Sequence, residues 1–209
     1  MSGVGLHKKF ENNSGLLIFG ILFVASIGGL VQILPSLFQE SLNTAAEKTV
    51  PYPALELVGR DIYMRESCGV CHTQHIRPLL AEVERYGPYS RAGEFVYDRP
   101  FLWGSKRTGP DLHRIGGKYS DDWHRLHMLN PRAVVDDSIM PAYPWLAERA
   151  ANADGDIQRK MRALKILGHP YGDDEIEAAD AALEGHTELD ALIAYLQGLG
   201  KAYGPEDKP

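Results

Sequence analysis

The sequence predicts an all-α protein in which one helical domain is carried by a single N-terminal transmembrane helix. Three observations carry that expectation. Residues 16–34 (LLIFGILFVASIGGLVQIL) contain no charged side chain and match the ~20 residues that cross a ~30 Å hydrocarbon layer as a helix. Helical spacing of apolar residues returns at Leu55, Val58 and Ile62, and again at Leu189, Leu192, Ile193, Leu196 and Leu199. Between these ends no alternation of useful strand length occurs.

The elements follow in order. The 209 residues suffice for one domain with appendages, divided here as 1–50, anchor and linker, and 51–209, the domain. The apolar run is longer than the ~7–15 residues of a signal-peptide core and no small-residue cleavage site closely follows it, so it reads as an uncleaved anchor. Lys8 and Lys9 precede it and Glu40 follows, which leaves the N-terminus in the cytoplasm and exports everything after about residue 40. A helix is expected from Ala54 to the motif at Cys68, with Gly59 and Tyr63 one turn apart on another face. Residues 79–106 form an aromatic-rich excursion (Tyr86, Tyr89, Tyr97, Phe101, Trp103) with a short helix near Leu79 to Arg85. Ser120 caps a helix that stops near Asn130, before Pro131. Residues 136–146 hold Pro141 and Pro144 and cannot be regular helix. Helices are expected over 147–167 and 173–183, and a last one after Thr187. The net charge of −6 and the lack of a phosphate-cradling loop exclude nucleic acid and nucleotides as partners.

The chemistry sits in Cys68-Gly69-Val70-Cys71-His72, which uses both cysteines of the chain. Cys-x-x-Cys-His is the attachment sequence of a c-type haem: two thiols form thioethers and the adjacent imidazole becomes an axial ligand. A structural zinc site needs further Cys or His pairs, and no third cysteine exists. A thioredoxin-like pair needs a preceding buried strand, whereas helical periodicity precedes Cys68. A structural disulfide would leave His72 unexplained.

The opposite side of the iron is either open or closed by a sixth ligand. Of the five methionines, Met1 lies across the membrane, Met64 precedes the motif on its own helix, and Met128 and Met161 fall in helical patterns that suit packing. Met140 lies in a proline-stiffened loop, Ser138-Ile139-Met140-Pro141, and is the favoured ligand for a high-potential electron carrier. His75, His113, His124 and His127 are the alternatives. Arg77, Lys106 and Arg107 are candidate partners of the haem propionates. His124 and His127, at helical spacing, are expected as surface or propionate-contacting groups.

With CxxCH, the turn at Gly109-Pro110, a Met-Pro loop and a terminal amphipathic helix in that order, the exported part resembles a class I cytochrome c domain. The resemblance implies crossed first and last helices with Gly59, Tyr63 and Tyr195 at the crossing. It also implies that the Pro110 carbonyl accepts the Nδ1 proton of His72. The segments QHIRPLLAEVERYGPYS, DRPFLWGSKRTGPDL, YSDDWHRLHMLNPR and SIMPAYPWL are similar to the mono-haem, membrane-anchored subunit of cbb3-type cytochrome c oxidase, the FixO type. His75 stands where methionine is expected in many such relatives. That resemblance implies an electron-transfer subunit with one covalent haem c. Its partners would be a haem-copper catalytic subunit and a dihaem cytochrome subunit or a soluble donor. Two other readings remain at this point: the anchored cytochrome subunit of a nitric oxide reductase, and an anchored haem sensor with an open axial face. Nothing is carried over to residues 147–186.

Overall fold

The computed structural model describes residues 3–98 and 100–202; Met1 and the last residues of the expected 51–209 domain lie outside the described residues. The chain divides into two compact units, residues 1–44 and 45–209. No strand occurs among the described residues, only an isolated bridge between Ala150 and Thr187.

In the first unit, helix α1 (Gly3–Glu11), which no sequence signal announced, precedes α2 (Ser14–Leu37). Asn13 caps α2, its side chain accepting from the Leu16 backbone N–H at 3.1 Å. At ~1.5 Å per residue α2 is about 36 Å long, and none of its residues is buried. A helix apolar all round and uncovered along its length is long and greasy enough to span a bilayer. A one-turn helix, α3 (Glu40–Asn43), closes this unit.

The second unit is built on the crossing of α4 (Ala54–Arg65) and α9 (Glu188–Gly198). A Cβ on Gly59 would collide with the Ala191 carbonyl and come within 2.7 Å of the Tyr195 Cβ, so only glycine allows the backbones this close. The Tyr63 and Tyr195 rings pack beside the crossing at 5.6 Å, and the Tyr195 hydroxyl meets the buried Gln74 amide at 2.9 Å. Arg65 forks onto Glu188 at 2.8 and 2.5 Å and fastens the end of α4 to the start of α9. Thr187 and Asp190 form a capping box that starts α9 where the sequence suggested. The fully buried stripe of α4 is Ala54, Leu57, Gly59, Arg60, Ile62 and Tyr63, while Leu55 and Val58 are only partly covered. Buried Arg60 is held by Asp98 at 2.7 Å and by the Pro100 carbonyl at 2.6 Å, which pins the excursion to α4.

Between the crossing helices lie α5 (Leu80–Tyr86), α6 (Asp121–Leu129), α7 (Ile157–Ile166) and α8 (Asp173–Leu183). Ser120 caps α6, which ends at Asn130. The expected helix over 147–167 is corrected to Ile157–Ile166. Within the first half of that stretch, residues 149–151 instead pair with the start of α9 and the residues before it, Ala151 N–H donating to the His186 carbonyl at 2.9 Å and Glu188 N–H to that of Arg149 at 2.8 Å. Those two long-range bonds satisfy the Ala151 N–H and the Arg149 carbonyl, which a helix would otherwise use.

Candidate haem site

Beyond α4 the chain turns sharply at Ser67, whose φ of 59° makes it the only non-glycine residue in the left-handed region among the described residues. The turn lets Cys68–Val70 form a single 3-10 turn, with the His72 N–H donating to the Cys68 carbonyl at 2.9 Å. Both thiols are free. Cys68 packs partly buried on the domain core, and Cys71 is exposed. Burial pushes the Cys68 thiol up to about 12, with Glu66 adding to the effect, so it is protonated at neutral pH and reacts poorly once packed.

His72 is half-buried, and its Nδ1 lies 2.8 Å from the Pro110 carbonyl oxygen. A carbonyl can only accept, so Nδ1 carries the proton and Nε2 keeps a free lone pair. Gly109 lies against the flat of the ring: a Cβ there would strike Cε1 and come within 2.7 Å of Nδ1 and 2.8 Å of Nε2. Burial holds the His72 imidazole below its ordinary pKa, opposed by the Pro110 carbonyl and by Asp111. A neutral ring with an unprotonated Nε2 is the form that binds iron. His127, on α6, is within electrostatic reach of His72; burial first, and then the charges of His72 and His124, hold it below its usual pKa. Its Nδ1 is buried without a hydrogen-bond partner. An oriented imidazole, a glycine-walled ring face and an orphaned buried nitrogen fit a haem at this place.

Met140 is partly buried against the same core that Cys68 touches. Its loop is held by Arg132 Nε donating to the Ser138 carbonyl at 3.1 Å and by the Tyr143 N–H donating to the Met128 carbonyl at 2.8 Å. Burial raises the Tyr143 pKa, and Cys68 and Cys71 add to the rise, which sets this residue close to the motif. Arg77 and Arg107 both engage Glu82, Arg107 at 2.6 Å. Lys106 is exposed. Of the two roles expected for His124, surface or propionate-contacting, its burial removes the first: it lies edge-on to Tyr119 and Trp123, while His127 stacks on Trp123 at 4.7 Å. His75 stacks on Trp103 at 4.5 Å, and Phe95 joins Trp103 and His113 in a packed aromatic group. The excursion is therefore folded onto the motif's flank, with Gly104 close enough to bring a Cβ within 3.1 Å of the His72 carbonyl oxygen.

A family model described as cytochrome c oxidase, mono-heme subunit/FixO, matches residues 7–188. The chain belongs to this family. No curated protein matches it. As a FixO-type chain it is the mono-haem electron-transfer subunit of a cbb3-type oxidase, and its all-α second unit is a cytochrome c domain. The match runs on through 147–186, the stretch in which the motif strings carried no likeness. What sequence reasoning missed at the FixO site is its polar support: Asp111, Thr73, Glu82 and the Arg60–Asp98 pair. Those residues fall in turns and on a helix face where no periodicity marks burial.

Proposed function

We propose that this FixO subunit holds its haem covalently through Cys68 and Cys71, with His72 and Met140 as axial ligands, on the periplasmic side of the inner membrane. There it relays electrons from a dihaem cytochrome subunit or a soluble donor to the haem-copper catalytic subunit. The observation that supports this reading is the His72–Pro110 contact at 2.8 Å, which leaves the Nε2 lone pair available directly after two free thiols.

When bound, the haem supplies a one-electron couple. The chain's own residues tune and protect it. Pro110 fixes the tautomer and plane of His72, and Gly109 leaves the ring room to lie flat. Met140 offers a soft, neutral thioether, which favours the reduced state and raises the potential relative to a second histidine. Partly buried Leu102, Leu112 and Leu129 pack on the same core as Cys68 and limit water there. Lys8 and Lys9, before the anchor, support an inward N-terminus.

Purification of the full chain in mild detergent tests the reading. The polypeptide mass should exceed that of its amino acids by one haem, and the increment should survive acid extraction and vanish when Cys68 and Cys71 are both replaced by Ala. A mature chain of bare polypeptide mass would refute it. Co-purification of a polytopic haem-copper protein is the expected outcome for the partner.

A further inference from the structure

The contact that orients His72 is itself braced by one buried carboxylate. Asp111 follows Pro110 directly, and its side chain is fully buried. Its Oδ2 accepts from Thr73 Oγ1 at 2.5 Å and from the His75 N–H at 2.9 Å, and its Oδ1 accepts from the His113 N–H at 2.9 Å. Thr73 follows His72, so this carboxylate joins the segment carrying the ligand to the segment carrying its acceptor. Two backbone bonds run alongside, Gly109 N–H to the Cys71 carbonyl at 2.9 Å and Leu112 N–H to the Thr73 carbonyl at 2.8 Å. Arg107 is the cation of the cluster, 3.7 Å from Asp111, and it also donates to Thr73 Oγ1 and the His75 carbonyl, each at 2.8 Å.

We propose that Asp111 is a positioning residue for the haem ligand: it locks Pro110 onto His72 and, as a buried negative charge within electrostatic reach of the imidazole, lowers the reduction potential, with Arg107 partly cancelling it. This rests on His72 being a haem ligand. The sign follows from electrostatics. A fixed anion near the ligand favours the oxidised, more positive iron, and in a buried setting its charge is weakly screened. Replacing Asp111 by the near-isosteric amide keeps one acceptor oxygen and removes the charge. Replacing Arg107 removes the opposing charge, so the two variants shift the potential in opposite directions. A brace with no electrostatic role would not produce that reversal.

Redox titration of the full-length, haem-loaded protein in detergent makes the test, for wild type, Asp111→Asn and Arg107→Gln. At the wild-type midpoint, Asp111→Asn should raise the ferrous-to-ferric ratio about tenfold, a shift of about +59 mV for one electron, and Arg107→Gln should lower it. The His72 ring-proton shifts of the ferrous form should also move in Asp111→Asn. An Asp111→Asn protein with wild-type absorption and an unchanged or lowered potential overturns the proposal. Where Asp111→Asn fails to load haem, the Arg107→Gln potential decides, and an unchanged or raised value overturns it. Absence of covalent haem from the wild type is a different failure: it refutes the ligand assignment, and this proposal falls with it.

Discussion

Gly109 leaves no space for a side chain, because a Cβ would press into the His72 ring. Gly109→Ala therefore has to displace either the ring or the loop, and covalent haem per chain should fall below about half of wild type, read by haem absorbance against protein. Met140→Ala should abolish the weak far-red sulfur-to-iron absorption band of the oxidised protein and lower its potential; an unchanged spectrum would eliminate Met140 as ligand. Glu94 shows how buried charge governs stability away from the haem. Burial pushes its carboxyl up, but bonds to His113 and Arg114 outweigh that effect and hold it at about 2 instead of 4.5. A depressed folded-state pKa stabilises above the unfolded value and is lost as pH falls from about 4.5 through about 2. Glu94→Gln should thus cost about 2–4 kcal/mol at neutral pH and flatten the dependence of Tm on pH across that window.

At the level of elements, the crossing of α4 and α9 is the contact most sensitive to one methyl group. Gly59→Ala should destabilise by about 1–3 kcal/mol, seen as a lower Tm. Gly28, where an added Cβ would meet nothing within 4 Å, should accept Ala with no change in domain Tm. Helix ends with local chemistry were readable in advance: Ser120 before α6, Thr187 before α9, and Pro131 after Asn130 each act through adjacent backbone groups. The start of α7 was not readable. Residues 147–156 have helical composition, but Arg149 and Ala151 bond through their backbones to Glu188 and His186, and a partner so far along the chain leaves no local mark. The same holds for the burial of Arg60 and His124, whose neighbours come from other segments.

For the whole molecule, the buried hydrophobic core of the second unit runs from Ala54 to Leu199 and includes no residue of the membrane helix. Residues 45–209, supplied with a cleavable export leader, should therefore fold, load haem and remain in the soluble periplasmic fraction, checked by fractionation and absorbance. A span that depends on lipid and a domain that depends on its own core are separable because each finds its apolar environment independently.

By itself, the sequence pointed to a mono-haem chain of this family and to a helix of bilayer length: the five-residue motif, the uncharged run and the quoted strings are legible because they work through residue type and short spacing. The last helix was legible for the same reason. Tertiary structure decided what surrounds His72. The Pro110 carbonyl, implied beforehand only by family resemblance, is 38 residues away in the chain, and the Asp111 brace gathers donors from 36 and 38 residues away. Contacts of that range are made when the chain closes on its core, and burial is what gathers three donors around an ordinary aspartate in a turn.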